Sequence, residues 1–352
     1  MIAYFVYNLN KYSGASQQAL SLAKEMKMPI TIFNHEKGIG FSREKVNEFV
    51  EQINLPSNRF LALLYLIFFL LINNVKAIHL HGFFKHGIVL GRFLRKKIIL
   101  KTTLMGSDDF ESLYSKARYK KLSKFLICCV DVNICLTRQL YNKNRKFIDE
   151  SKIKIIPNGV ELPANVLTQK QNIFCFVGLI CERKSAFESI EYYLKNYLVL
   201  RGSKMYVVGP LEGLNESDSS YVKKCYTLVA QYEATDRVIF TGNIPKQHVQ
   251  EIFRISKALI FFSKKEGMPN VVLEAMSSNC LPITLGLDGV IIEILGVDID
   301  VQLTLADPNH VIDVDVMDKI IKNSDVSSIA REKFSMNTIG YQYQTLYEVL
   351  DH

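Results

Sequence analysis

The sequence predicts an α/β fold with parallel sheets, divided into two domains. Strand-like apolar runs alternate with helical patterns along almost the whole chain, an order that implies right-handed crossovers between parallel strands. The length of 352 residues suits two domains of ordinary size. The polar segment Glu161–Asn172 contains a proline and is interpreted as the linker. We therefore expect a first domain over residues 1–165 and a second over residues 166–333.

The predicted strands are short apolar or alternating segments that end in loops. They are Met1–Tyr7, Ile30–Phe33, Ala77–His81, Lys97–Lys101 and Val130–Leu136 in the first domain, and Ile173–Gly178, Lys204–Gly209, Val238–Gly242, Ala258–Phe262 and Leu281–Thr284 in the second. A helical pattern follows the first strand after the loop Asn8–Ser16, which holds Gly14. Strand, glycine-bearing loop and helix are typical of the opening of a nucleotide-binding unit. A last helix is predicted over Phe334–Leu350.

Composition and charge indicate a globular protein and disfavour disorder, since 48% of residues are hydrophobic and 22% are charged. The net charge is +8, and the basic clusters at 95–97 and 116–124 suit nucleic acid, an anionic membrane or a diphosphate. Seven cysteines without a Cys-x2-Cys pair favour reduced, mostly buried thiols of a cytosolic protein over disulfides or zinc. Met1–Tyr7 lacks the basic region and cleavage pattern of a signal peptide.

The run Phe60–Ile72 has two interpretations. It spans 13 apolar residues, whereas crossing a bilayer takes about 20. A buried helix of the first domain is the favoured account. The other account is an apolar face that touches lipid at the membrane interface, helped by the nearby basic residues.

The stretch Glu266–Met276 carries the strongest functional signal. Glu266 follows an apolar strand, and Pro269 suits the first turn of a helix because its missing N–H would have no partner there. Glu274 then lies about one turn into that helix. The free N–H groups of the helix start suit a phosphate, and a carboxylate accepts hydrogen bonds from ribose hydroxyls. We expect the helix start to remain open to such a ligand.

The string Glu-Gly-Met-Pro-Asn-Val-Val-Leu-Glu-Ala-Met resembles the E-x7-E signature of glycosyltransferase family 4, retaining enzymes with a GT-B fold. The resemblance also covers Ile155–Val160, Ile173–Lys184 and Leu287–Glu293. It implies two Rossmann-like domains that face a central cleft. The acceptor would bind mainly the first domain and the nucleotide sugar the second, with the helix at 334–352 packed back on the first domain.

By the same resemblance, catalytic roles fall to Glu266, His81 and Lys184. The implied substrate-binding residues are Gly14, Asp108, Arg183, Gly267, Met268, Pro269, Asn270, Val271 and Glu274. Lys184 matches a lysine that holds the donor diphosphate. Leu179 stands where the family has an arginine, and Arg183 is the candidate to replace it because its guanidinium is beside the same loop. The alternative for Asp108 is a helix N-cap.

The implied activity is retaining, metal-independent transfer of a hexose from a nucleotide-diphosphate sugar to a glycan or lipid-linked acceptor, in surface polysaccharide synthesis. A sugar-nucleotide epimerase and a non-catalytic partner subunit, suggested by Leu179, are the alternatives. No cofactor, metal or nucleic-acid partner is expected. The protein is expected in the cytoplasm, with peripheral contact to the inner face of the membrane.

Overall fold

The computed structural model describes residues 1–9, 14–36, 39–211, 219–285, 287–296, 304–305, 307 and 309–350. The chain forms two compact units. Unit 1 comprises Met1–Gly159 and Met336–His352, and unit 2 comprises Val160–Ser335. Ser13, in the predicted glycine-bearing loop, lies outside the described residues, as does the side chain of Asp288 in the later resemblance segment.

Strands form where the sequence predicts them, and the described residues add three strands in unit 1, β3, β4 and β8, and one in unit 2, β14. The strands of unit 1 are β1 (Ile2–Tyr7), β2 (Ile30–His35), β3 (Ser42–Lys45), β4 (Val50–Asn54), β5 (Ala77–His81), β6 (Lys97–Thr102), β7 (Val132–Cys135) and β8 (Ile153–Ile155). Those of unit 2 are β9 (Ile173–Val177), β10 (Lys204–Val208), β11 (Val238–Gly242), β12 (Ala258–Phe261), β13 (Leu281–Leu285) and β14 (Thr304–Leu305).

Helices connect these strands. They are α1 (Gly14–Glu25), α2 (Arg59–Ile72), α3 (Lys85–Phe93), α4 (Phe110–Lys116), α5 (Lys120–Cys128), α6 (Arg138–Asn144), α7 (Ala186–Asn196), α8 (Ser219–Gln231), α9 (Lys246–Ile255), α10 (Asn270–Ser277), α11 (Val290–Leu295), α12 (Val314–Asn323), α13 (Asp325–Phe334) and α14 (Met336–Val349). No helix among the described residues is long and apolar enough to cross a membrane.

Each unit is organised around one sheet. In the described residues of unit 1 the strand order is β3-β4-β2-β1-β5-β6-β7-β8, and only the β3–β4 pair is antiparallel. In those of unit 2 the order is β11-β10-β9-β12-β13-β14, and all pairs are parallel. The carboxyl ends of parallel strands meet at one edge of the sheet, which is where ligands bind in such folds.

Two helical layers enclose the unit 1 sheet. On one face, α1 and α14 bury Leu22, Ile339 and Tyr343 in a core with Tyr4. On the other face, α2, α3, α4 and α5 bury apolar side chains in a second core with Leu100 and other sheet residues. Burial of the sheet on both faces explains why β1 is apolar along its whole length and why the centre of β6, Ile98–Leu100, is apolar.

The favoured interpretation of Phe60–Ile72 as a buried helix is wrong. Helix α2 buries one side through Ala62, Leu66, Phe69 and Leu70. The opposite side exposes seven large apolar side chains: Phe60, Leu61, Leu63, Leu64, Phe68, Leu71 and Ile72. The helix lies in the outer layer of the unit, so only the side that faces the sheet is covered.

The predicted last helix is interrupted. Helix α13 ends at Phe334 and α14 begins at Met336, because Ser335 adopts an extended conformation, with φ −58° and ψ 143°. Ser335 pairs with Val160 in an isolated bridge, and the Val160 N–H donates to the carbonyl of Phe334 at 2.7 Å. A backbone that pairs sideways in this way cannot also continue the helical hydrogen-bond ladder.

Candidate functional site

The start of α10 has the features that suit an anion. Pro269 occupies the N-cap with φ −76° and makes no side-chain cap to the helix. The first-turn N–H groups of a helix lack the usual i−4 acceptors and carry a partial positive charge, although the Val272 N–H here donates to the carbonyl of Pro269 at 3.0 Å. Gly267, Met268 and Pro269 are buried, and Asn270 and Val271 are partly exposed. Glu274 is the fifth residue of the helix, about one turn in as predicted.

Glu266 and Lys184 form an ion pair. The Lys184 ammonium donates to Glu266 Oε1 at 2.5 Å, and the Ser263 hydroxyl donates to the same oxygen at 2.6 Å. The two side chains are only 18% and 10% exposed. The structure thus brings together two predicted site residues that are 82 positions apart in the sequence.

Backbone contacts hold the two loops of this pair together. Lys184 ends a 3-10 turn, Glu182–Lys184, and Ser185 follows in the left-handed region at φ 53°. The Lys264 N–H, in the loop after β12, donates to the carbonyl of Arg183 at 3.0 Å. The Lys184 ammonium also lies 5.3 Å from the centre of the Phe261 ring. The lysine is therefore fixed by contacts on both sides rather than extended into solvent.

Glu274 is perturbed by its surroundings. Desolvation raises the pKa of this partly exposed carboxyl from 4.5 to about 7; the Lys246 ammonium opposes the change and the Glu161 carboxylate adds to it. A group with a pKa near 7 is unusual for glutamate and marks a candidate binding or catalytic position. The pattern in the sequence locates Glu274 but contains no information on this desolvation.

Glycines bring the ends of β9 and β10 close together. The Gly178 N–H donates to the carbonyl of Val208 at 2.9 Å. A Cβ atom on Gly209 would lie 1.9 Å from the carbonyl oxygen of Gly178, so no larger residue fits there. Gly209 was predicted only as the end of a strand. Ser263 was not singled out either, since a serine after a strand gives no signal of its own.

In unit 1, His81 lies at the carboxyl end of β5 and is buried. Its ring nitrogens have no hydrogen-bond partner among the described residues. Burial, with Lys101 and His79 nearby, lowers the pKa of His81 well below its ordinary value, so the ring is neutral. Gly14 is the exposed first residue of α1. His86 is exposed.

Lys101 is a residue that the sequence reasoning missed. It pairs with His81 in the β5–β6 register and is only 3% exposed. Desolvation lowers the pKa of its ammonium from 10.5 to about 7. The ammonium lies 5.4 Å from the Tyr343 ring on α14. The sequence did contain a signal for Lys101, because this lysine follows the apolar run Ile98–Leu100 near the carboxyl end of a strand.

His79 has a structural partner. Its Nδ1 is 2.7 Å from the hydroxyl of Tyr347 on α14, and that hydroxyl is 2.7 Å from the hydroxyl of Tyr4. The His79 and His81 ring centres are 4.2 Å apart, so the two histidines share one face of the strand as alternation predicts. This chain of contacts fixes α14 to the sheet of unit 1.

The Asp108 side chain hydrogen-bonds to residues of its own loop. Its carboxylate accepts from the N–H and hydroxyl of Thr103 and from the N–H of Leu104, at 2.7 to 2.9 Å. Desolvation nevertheless raises the pKa of Asp108. The alternative of a helix N-cap at Asp108 is wrong, since Asp109 caps α4 by accepting from the Ser112 N–H at 2.9 Å.

Metal ligands are not gathered anywhere in the described part of the chain: it holds no group of three or more His, Cys, Asp or Glu side chains arranged to bind an ion. The seven cysteines are all free, and five of them are buried.

The site in unit 2 offers a lysine, two glutamates and a helix start as its chemical groups. An ammonium and backbone N–H groups can balance phosphate charge, and carboxylates can accept from sugar hydroxyls.

Comparison with known proteins shows which family the chain is similar to. Residues 161–338 match the family model described as glycosyl transferases group 1. A curated relative from Escherichia coli, UDP-Gal:α-D-GlcNAc-diphosphoundecaprenol α-1,3-galactosyltransferase, is 28% identical over 218 residues. That match takes in 52% of each chain, so this chain spans about half the length of the relative it matches.

Solved structures share the fold. HepE from Anabaena, in complex with UDP and glucose, matches with a TM-score of 0.71 at 12% identity, over 99% of both chains. The apo form of the lipopolysaccharide outer core galactosyltransferase WaaB matches with a TM-score of 0.63 at 16% identity, over 98% of both chains. The predicted GT-B fold class is confirmed. Because the family model spans half of the sequence and includes Lys184, Glu266 and Glu274, the chain belongs to the glycosyl transferases group 1 family.

Proposed function

We propose that the protein is a retaining hexosyltransferase that uses a nucleotide-diphosphate sugar and needs no metal. The observation that carries the proposal is the Lys184–Glu266 pair beside the start of α10 in a member of this family. Transfer breaks the bond between the anomeric carbon and the diphosphate and forms a bond to an acceptor oxygen. The acceptor proton passes to the departing phosphate in a displacement on the front face of the sugar.

The diphosphate would lie at the start of α10. There the first-turn N–H groups and the Lys184 ammonium stabilise the charge that develops on the leaving group. Arg183, in the same loop, would supply the cation that Leu179 does not. When the Lys184 ammonium donates to the phosphate instead of to Glu266, the Glu266 carboxylate becomes able to bind a sugar hydroxyl or to stabilise positive charge on the sugar.

The nucleoside would be held by Glu274. Its two oxygens accept from both ribose hydroxyls, and these donors favour the ionised carboxylate. Gly267, Met268, Pro269, Asn270 and Val271 would line the same pocket. We propose UDP-hexose as the donor, since HepE has been solved with UDP and with UDP-glucose and the curated relative is a UDP-Gal enzyme.

The acceptor would be a glycan on a lipid carrier, as the name of the curated relative suggests. Gly14, His81 and Asp108 of unit 1 are the candidate acceptor-side residues. A neutral, buried His81 can accept a hydrogen bond from an acceptor or donor hydroxyl without competing for phosphate charge. The enzyme would work in the cytoplasm, in peripheral contact with the inner face of the membrane.

The test is calorimetric titration with UDP and UDP-hexoses, followed by turnover assays. Lys184→Ala and Glu274→Ala should each weaken donor binding or turnover by tenfold or more, on the order of the 1.5–3 kcal/mol of a charged hydrogen bond. Lys264→Ala is the matched control, because its side chain is half exposed in the same loop. Unchanged titrations and rates in both site variants would refute the assignment.

The same assays separate the alternatives. Absence of any sugar-nucleotide binding would identify a non-catalytic subunit. Conversion of the sugar nucleotide without an added acceptor, with a changed sugar as product, would identify an epimerase.

A further inference from the structure

The outer side of three unit 1 helices is unusually apolar. Beyond the seven exposed side chains of α2, the neighbouring helices α3 and α5 expose further large apolar residues: Val89, Phe93, Leu122 and Phe125. Tyr119, at the N-cap of α5, is also exposed. We call this surface the α2–α3–α5 face. This much exposed apolar side-chain surface on one unit is typical of an interaction site.

The three helices present these side chains in the same direction. Their buried residues, among them Phe69, Ile88 and Leu126, belong to one core on one face of the sheet. Helices α3 and α5 also contact each other directly. Because a helix that buries one side on a sheet turns its other side away from it, the exposed side chains form one outer surface.

Basic residues predominate around this face. From Arg59 to Ser107 the sequence holds eight Lys and Arg residues and no Asp or Glu. Helix α5 adds Lys120, Lys121 and Lys124, which are exposed. The nearby carboxylate of Glu111 on α4 is already paired with Lys143 and Lys146, at 3.3 and 2.9 Å.

A cavity of about 230 Å³ lies between α4 and α5 at the edge of the face. Its lining combines the cations Lys85, Lys116 and Arg118 with the apolar side chains of Phe83 and Leu122. An anionic headgroup with attached hydrocarbon would complement this lining, since its charge is opposite and its hydrocarbon can contact the apolar side chains.

We propose that the α2–α3–α5 face docks on the surface of an anionic phospholipid bilayer. Apolar side chains would enter the interfacial layer, and the surrounding cations would meet lipid phosphates. A protein partner fits less well, because lysine is depleted at protein interfaces whereas lysine surrounds this face. The proposal rests on the proposed function only for its peripheral membrane contact. It does not depend on the donor site, since none of the residues of this face belongs to that site.

The experiment is co-sedimentation of the full chain with phosphatidylcholine vesicles, with and without phosphatidylglycerol. The protein should bind the anionic vesicles and bind neutral ones weakly. Lys121→Gln with Lys124→Gln should weaken binding about 25-fold, at roughly fivefold per cation. Phe68→Glu with Leu71→Glu should weaken it at least tenfold, since these side chains are 61% and 64% exposed and available to lipid.

Matched controls carry the same substitutions elsewhere. Tyr341→Glu changes an exposed residue of α14, on the opposite face of the sheet, and Lys223→Gln with Lys224→Gln changes exposed cations of α8 in unit 2. These controls should bind vesicles like the unchanged protein, and all variants should keep their affinity for UDP.

Two outcomes would overturn the proposal. One is vesicle binding that the face variants and the controls share equally. The other is a dimer in solution that Phe68→Glu dissociates, which would assign the face to a second copy of the chain. Loss of UDP binding with vesicle binding intact would instead count against the proposed function alone.

Discussion

At the residue scale, Lys184 and Glu266 satisfy each other in a site that would otherwise hold an unpaired charge. The pair is mostly buried, and Ser263 adds a third polar group. Removal of one partner of such an ion pair lowers the stability of a protein more than replacement of both partners does. The pair therefore balances the two charges and leaves both groups able to exchange partners with a ligand.

Removal of one partner should be costly. We expect Lys184→Met to lower the free energy of unfolding by about 3 kcal/mol, because Glu266 is left buried and charged. Combination with Glu266→Gln should recover part of that loss. Lys264→Met is the control; its exposed pair with Glu182 should be worth less than about 1 kcal/mol. Denaturant titration compares the unchanged protein, Lys184→Met, Glu266→Gln, the double variant and Lys264→Met. Strict additivity of Lys184→Met and Glu266→Gln would contradict the coupling.

The pKa of Glu274 makes donor binding depend on pH. In the free protein this carboxyl titrates at about 7, and ribose hydroxyls favour its ionised form. Affinity for UDP-glucose should therefore rise from pH 6 to pH 8, with protons released on binding. Calorimetry in buffers of different ionisation enthalpy measures the release. UDP-glucose is used because the terminal phosphate of free UDP itself titrates near pH 6.

The same group affects stability with the opposite trend. Its folded pKa is raised above the unfolded value of 4.5, so its contribution is fully present below 4.5 and is lost as pH rises through about 7. Glu274→Gln should remove both the proton release and this part of the pH dependence. A variant that retained the full pH dependence would show that another group titrates.

At the element scale, α2 shows how a uniformly apolar helix can have two different sides. Its sequence contains no charged residue after Arg59, so hydrophobic periodicity cannot distinguish its sides. The sheet decides which side chains are buried. The missed strands β3 and β4 have a related explanation, since their many polar residues give little strand signal and the β2–β4 and β3–β4 pairings organise them.

Neighbouring phenylalanines on α2 test this division. Phe69 is buried and meets Phe33 edge to face, with ring centres 5.0 Å apart, whereas Phe68 is exposed. Phe69→Ala should lower the free energy of unfolding by about 3–5 kcal/mol. Phe68→Ala should change it by less than about 0.5 kcal/mol. Thermal or denaturant unfolding measures the two variants, and equal losses would mean that the outer side of α2 is covered in solution.

At the scale of the whole molecule, unit 1 is built from two segments of the chain, Met1–Gly159 and Met336–His352. Helix α14 contributes Ile339, Tyr343 and Tyr347 to the core around Tyr4, on a sheet whose strands all precede residue 156. Unit 1 is thus discontinuous in sequence, and unit 2 is a single segment.

Deletion of Met336–His352 should therefore affect the units unequally. Unit 1 loses part of its core and should unfold or become sensitive to protease, while unit 2 keeps every residue that forms it. Limited proteolysis with mass spectrometry should yield a resistant fragment near 160–335. Removal of residues 351–352 alone is the control, since it keeps Leu350 packed against the core, and it should leave both units resistant. Equal resistance of both units after the longer deletion would contradict this view.

The sequence by itself determined the order of most strands and helices and the local placement of Glu266, Pro269 and Glu274, because these depend on periodicity and short-range spacing. The GT-B fold class followed from the resemblance of its motifs to a known family. Only the tertiary structure decided that Lys184 pairs with Glu266, that His79 meets Tyr347 and that Lys101 is buried beside His81. It also decided which side of α2 is exposed. Those features arise from packing between segments 20 to 268 positions apart, and local sequence patterns carry no information on which distant side chains will meet.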